Sequence, residues 1–220
     1  KGVSTHGIAW FPQYVNKDAF QTLRDNYGIN TIRLAMYTNK SEGYGPDAVN
    51  KVREGVKYAT ELGMYVIIDW HILNDGNPNQ HKSEAKKFFT KMSKKYGGQK
   101  NVIYEICNEP NGNVTWNKQI KPYAKTIVKT IRKHSKNAVI VIGTPTWSQD
   151  VDVVAQSPLK GKNLMYALHF YAGTHKEWNQ EKLKTAHKKG LPVMVTEFSI
   201  CDASGNGALD KASGNQWLRL

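Results

Sequence analysis

Short apolar runs alternate with longer segments whose apolar residues recur at helical spacing, and the alternation holds from one end of the chain to the other. Strands are expected near 3–10, 29–36, 64–70, 102–108, 138–143, 164–171 and 192–198. Helices are expected near 17–27, 47–62, 83–96, 117–133, 149–155, 177–189 and 207–218. Strand–helix pairs in series predict a parallel sheet, because a crossover must return the chain to the same end of the sheet before the next strand can pair. In NKQIKPYAKTIVKTIRK, Ile120, Tyr123, Ala124, Ile127, Val128 and Ile131 make one apolar stripe. Lys121, Lys125, Lys129 and Lys133 recur every four residues on another face, a like-charge row that is expected to be solvated. No Ser/Gly-rich linker or low-complexity tract divides the chain, so residues 1–220 read as a single domain.

An open doubly wound sheet would carry a glycine-rich phosphate turn after its first strand, whereas the first strand here runs into Trp10-Phe11-Pro12. A (β/α)8 TIM barrel is the better fit, here with about seven βα units. Such barrels gather their reacting groups at the C-terminal ends of the strands, and that is where this sequence places polar residues among apolar ones. His6 and Trp10 come with the first strand, Arg33 and Tyr37 with the second, Asp69 and His71 with the third. Asn108 and Glu109 follow the fourth, Trp147 the fifth, His169 and Tyr171 close the sixth, and Glu197 closes the seventh.

Two of these stand out. In NVIYEICNEPNG an apolar run leads into Asn108-Glu109 and is stopped by Pro110, which has no N–H for a continuing ladder. PVMVTEFS repeats the design with Glu197. A pair of carboxylates, one protonated to deliver a proton and one ionised to meet developing positive charge, is what glycoside hydrolysis requires. Arg33 is expected to hold one of them ionised. Trp10, Tyr37, Trp147 and Tyr171 add flat apolar faces for sugar rings, and His6, His71, His169 and Asn108 add hydrogen bonds for hydroxyls.

The net charge of +13 points to anionic surroundings, but no nucleic-acid-reading motif accompanies it, so no nucleic-acid partner is expected. Apolar runs are too short for a membrane-spanning helix, and no membrane partner is expected. Cys107 and Cys201 fall on strands far apart and are expected to be free thiols.

NVIYEICNEPNG, VIIDWHIL, TWSQDV, LHFYAGTH and VMVTEF resemble the cellulases of glycoside hydrolase family 5, in particular bacterial endoglucanases. The resemblance runs from STHG at 4–7 to TEF at 196–198. It implies a secreted, retaining endo-β-1,4-glucanase acting on a β-1,4-linked polysaccharide by double displacement, without metal or other cofactor. Glu109 would be the general acid/base and Glu197 the nucleophile. Asn108 would bind the hydroxyl beside the reacting carbon, while Arg33, His71, His169 and Tyr171 orient the pair. His6, Trp10, Tyr37 and Trp147 match cleft positions that hold glucose units. Related readings are cleavage of mannan, xyloglucan or xylan on the same fold, or a carbohydrate-binding remnant that does not hydrolyse. The chain departs from the family in its last unit: the eighth strand, with a tryptophan, a lysine and an acid at its end, has no counterpart before Leu220. The domain is therefore expected to be incomplete at its C-terminus, and either completed by further residues or self-associated across the open edge.

Overall fold

All seven apolar runs become strands in a computed structural model that describes residues 1–220. They are β1 (Gly2–Ser4), β2 (Thr31–Tyr37), β3 (Tyr65–His71), β4 (Val102–Glu105), β5 (Ile140–Ile142), β6 (Leu164–Tyr171) and β7 (Val193–Ser199). Every neighbouring pair is parallel, and the sheet order is the chain order. This is the wall of a (β/α) barrel, seven units around. β2, β3 and β6 are buried along almost their whole length, as strands covered on both faces must be.

The helices begin and end where the sequence offers chemistry for it. Asn16 Oδ1 accepts from the Ala19 N–H at 2.8 Å to open Lys17–Tyr27, and Gly28, at φ 65°, closes it. Pro46 occupies the first turn of Pro46–Glu61, where a missing N–H costs nothing. Lys82–Tyr96 and Lys121–Arg132 pack side by side on the outside of the barrel, followed by Glu177–Lys188 and Lys211–Leu218. The apolar faces of these helices and the outward side chains of the strands make one core of 43 buried residues, in which Trp70 packs tilted on Phe88, and Phe88, Phe89 and Tyr104 meet edge to face between β3, β4 and Lys82–Tyr96.

Several expected boundaries move, and one lysine changes its surroundings. The first strand ends at Ser4 instead of residue 10, because Thr5 Oγ1 accepts from the Ala35 N–H at 3.0 Å in place of a main-chain rung and the chain then turns at Gly7. The fourth ends at Glu105 instead of 108: Ile106 still reaches the Val141 carbonyl, but Asn108 N–H has crossed to the Trp70 carbonyl. The helix expected over 149–155 is only Val151–Val154, preceded by a turn, Pro145–Ser148, in which Thr146, Trp147 and Ser148 all adopt left-handed backbone angles. Lys121 leaves the solvated lysine row, since its Nζ donates to the Ser157 carbonyl at 2.8 Å, while Lys125, Lys129 and Lys133 are exposed.

β1 pairs only with β2, and β7 only with β6. The gap between them is a cavity of about 560 Å³ lined by Val3, Ile67, Ile103, Val195 and Phe198, with Arg33 and Glu197 at its inner end. No helix is long and apolar enough to cross a membrane.

Candidate active site

Arg33 is the hub of the site. It points into the barrel from the middle of β2 and is 2% exposed. A guanidinium that deep needs several acceptors, and it has them from three other strands. Nε donates to Glu105 Oε2 at 2.7 Å, Nη2 to Asn108 Oδ1 at 2.6 Å, and Nη1 to Glu197 Oε2 at 3.1 Å. Asp69 Oδ2 lies 3.0 Å from Nη2 and also faces His71 Nδ1 at 2.6 Å. Burial pushes the Asp69 carboxyl up despite Arg33 and His71, and its second oxygen has no partner.

Asn108 is fully buried, held by Arg33 at its oxygen and by the Ile72 carbonyl at its nitrogen, 3.0 Å away. The same nitrogen makes a long 3.3 Å contact with His71 Nε2. His71 thus supports Asn108 and packs at a tilt against Tyr37, ring centres 4.4 Å apart, without a hydrogen bond to Glu109 or Glu197. Ser148 Oγ clamps the Asn108 carbonyl at 2.6 Å, and the Trp147 N–H donates to the Pro110 carbonyl at 3.0 Å, so the left-handed turn grips the segment carrying Glu109.

Glu109 sits four residues beyond β4, 8% exposed, with Oε1 2.9 Å from His169 Nδ1. Glu197 lies on β7, where Tyr171 Oη donates to Oε1 at 2.6 Å and Arg33 holds Oε2. Burial alone would raise the Glu197 carboxyl, but His169, Arg33, His71 and the Tyr171 hydroxyl together hold it down to about 2. Burial would likewise lower His169, yet Glu105, Glu109 and Glu197 around it push it up to about 10. Burial and the Glu197 charge raise the Tyr171 hydroxyl, which stays a donor to that carboxylate. One oxygen of Glu109, one of Glu197 and a ring nitrogen of His169 lie within 4.8 Å of one another. Both His169 nitrogens already face partners, Glu109 and Thr196, so the trio lacks the free imidazole lone pair that a metal would take.

These groups open into a cleft of about 610 Å³ at the C-terminal ends of the strands. His6, Tyr37, His71, Trp147 and Tyr171 line it with the two carboxylates, as the strand-end pattern implied. Trp10 stands behind Tyr37 at 4.7 Å, 47% exposed, and Trp147 is 45% exposed. Reading of the sequence passed over Gln149, His175 and Ser204, which also line the cleft. His175 lies within LHFYAGTH and Gln149 within TWSQDV, two stretches that carry the family resemblance, so both were within reach of the sequence; Ser204 carried no signal. Glu105 is buried behind the two carboxylates and supports Arg33, and Thr196 is joined to it at 2.8 Å.

Comparison with known proteins adds four findings. The family model described as cellulase, glycosyl hydrolase family 5, matches residues 1–220. The chain is 49% identical over 221 residues to an endoglucanase of Clostridium saccharobutylicum, covering 99% of this chain and 49% of that protein. It is also 49% identical over 220 residues to endoglucanase N of Pectobacterium atrosepticum, again covering 99% and 49%. The chain thus spans about half the length of the curated relatives it matches. Among solved structures it superimposes with a TM-score of 0.93 and 34% identity on the catalytic domain of endoglucanase Cel5A from Thermobifida fusca in complex with cellotetraose, covering 100% of this chain and 74% of that one.

Proposed function

This chain belongs to the cellulases of glycosyl hydrolase family 5, and from that premise we propose that it cleaves internal β-1,4 bonds of cellulose-type glucans with retention of configuration. The observation that carries the proposal is the approach of Glu109 and Glu197, with carboxylate oxygens within 4.8 Å, at the floor of a cleft walled by aromatic side chains. Retaining enzymes hold their carboxyl groups about 5–5.5 Å apart, whereas inverting ones leave about 6.5–9.5 Å for a water.

In the first step, Glu197, ionised and aimed by Arg33 and Tyr171, attacks the sugar carbon. The bond to the leaving oxygen breaks, and that oxygen takes a proton from Glu109. In the second, Glu109 as carboxylate removes a proton from water, whose oxygen displaces Glu197 and restores both groups. As positive charge develops at the sugar, the low-lying Glu197 carboxylate meets it without having to lose a proton first. The long Asn108–His71 contact is one that a sugar hydroxyl can replace, leaving Asn108 to bind the hydroxyl beside the reacting carbon. Trp10, Tyr37, Trp147 and His6 hold the neighbouring units. A polymeric glucan cannot enter a cell, so the site of action is extracellular. The β1–β7 gap accepts one more strand, from further chain or from a second copy.

Reducing-end release from carboxymethyl cellulose, set beside mannan, xylan and xyloglucan, tests the substrate. The first anomer seen by proton NMR on a soluble cello-oligosaccharide is expected to be β. Turnover of mannan or xylan in preference to cellulose would overturn the glucan assignment, and binding to cellulose without turnover would overturn the hydrolytic one.

A further inference from the structure

β6 and β7 run in step from Tyr166 and Val193 to Leu168 and Val195, and then the register slips: His169 lies opposite Glu197, so Thr196 has no partner on β6. In a regular strand Thr196 and Glu197 would point to opposite faces. A bulge at residue 196 lets both side chains enter the barrel, and bulges recur where an active site needs a side chain re-aimed. What Thr196 reaches is specific. Its Oγ1 lies 2.8 Å from His169 Nε2 and 2.8 Å from Glu105 Oε1.

The directions of these bonds follow from chemistry alone. Glu105 is ionised: burial would raise its carboxyl, but the Arg33 guanidinium and His169 bring it down to about 2. A carboxylate only accepts, so the Thr196 hydroxyl spends its one hydrogen on Glu105. Its oxygen can then only accept from the ring, so Nε2 carries a hydrogen in every protonation state. The other nitrogen, Nδ1, is left facing Glu109 Oε1 at 2.9 Å.

We propose that Thr196 is a positioning residue: it fixes the hydrogen on His169 Nε2, so that Nδ1 alone shares the proton that the acid/base Glu109 delivers to the leaving oxygen and recovers from water. When Glu109 is protonated, Nδ1 accepts from it; when Glu109 is a carboxylate, the imidazolium donates to it. The proton count of the pair is the same in both arrangements. A neutral ring free to carry its hydrogen on Nδ1 instead would donate to Glu109 and stabilise it as a carboxylate, the wrong form for protonating a leaving group. The charged groups that face the ring are Glu105 on β4, Glu109 beyond the end of that strand and Glu197 on β7, while Arg33, His71 and Tyr171 in turn act on Glu197. Thr196 is the neutral group that sorts them: it accepts from Nε2–H, donates its own hydroxyl hydrogen to Glu105, and leaves Nδ1 for Glu109.

This rests on Glu109 being the acid/base, and two readouts separate the two ideas. The first needs no substrate. In Thr196→Val and Thr196→Ala, loss of the acceptor for Nε2–H weakens the imidazolium, and the His169 titration followed by ring ¹⁵N NMR is expected to move down by about one pH unit, a hydrogen bond to a charged group being of that size. Thr196→Ser restores it. The second is kinetic: the alkaline limb of kcat/KM moves to lower pH in the Val and Ala variants, by the same amount, and returns in Ser. An unmoved His169 titration in Val and Ala, or one equally moved in Ser, overturns the proposal whatever the enzyme hydrolyses. A wild type without activity on any β-1,4-glucan would instead overturn the proposed function while leaving the NMR test intact.

Discussion

At the residue scale, the roles of the two carboxylates can be separated by what replaces them. With Glu197→Gly, azide enters the space of the missing carboxylate and is expected to attack the sugar directly, giving an α-glycosyl azide from a substrate with an activated leaving group. With Glu109→Gly, azide takes over at the second step and gives the β-linked product. Swapped anomers would reverse the assignment. The same network predicts a stability profile with two slopes. Glu105 and Glu197 lie near 2 in the folded chain against an ordinary 4.5, so their contribution is complete above about pH 4.5 and is lost as pH falls toward 2. His169 lies near 10 against 6.5, so its contribution is complete below pH 6.5 and is lost as pH rises through 10. Thermal unfolding across pH should show Tm falling on both sides, with the acid slope shallower in Glu197→Gln. A Tm that is level from pH 6.5 to 10 would contradict the His169 assignment. Glu109 and Glu197 were legible in the sequence as carboxylates where apolar runs end, and Arg33 as the one charge within TIRLAMY. Thr196 was not, since strict alternation assigns it to the face opposite Glu197, and only the bulge turns it inward.

At the element scale, strands and helices were legible as apolar runs and stripes, and their ends were not, because the ends are decided by contacts remote in sequence. Thr5 stands in for a rung of β2, and Ser148 and Trp147 hold the chain after β4, none of which periodicity records. Gly143 shows how close that packing is: a Cβ there would run into the Cys107 carbonyl oxygen, a backbone atom that cannot swing away. Gly143→Ala is expected to destabilise by about 1–3 kcal/mol, as overpacked sites do, and to lower kcat through Asn108 and Glu109. Urea unfolding and turnover on a soluble oligosaccharide measure the two effects; a variant unchanged in both would mean that the segment from Cys107 to Glu109 is free to shift. The lysine face makes the opposite case. Lys125, Lys129 and Lys133 are exposed on the outer helix, away from the strand ends, and changing all three to Gln should leave turnover within about twofold, the size of a surface effect of about 0.5 kcal/mol. Adding Lys121→Gln costs stability as well, because the Ser157 carbonyl loses its donor.

At the scale of the whole molecule, the barrel's order of strands leaves β1 and β7 each with one side unpaired. The burial of the strands follows from this. β2 through β6 are largely covered, whereas β1 is exposed throughout and β7 only half-buried, with Val3 at 37%, Val195 at 41% and Phe198 at 49% exposure. Each large apolar side chain left in water forgoes about 1.5–3 kcal/mol of burial, and an unpaired strand edge is a template for another strand. The gap also reaches Arg33 and Glu197, so water entering through it weakens the electrostatics that hold Glu197 ionised. The 220-residue chain, prepared on its own, is therefore expected to pair with a second copy across the β1–β7 gap, and its activity should rise with association. Light scattering and turnover along one dilution series test both parts together. Val3→Lys, which puts a charge into the gap, should shift the chain toward monomer. A monomer throughout the series, with undiminished specific activity and a high Tm, would show that seven units support the site unaided and that closure at this edge is not needed.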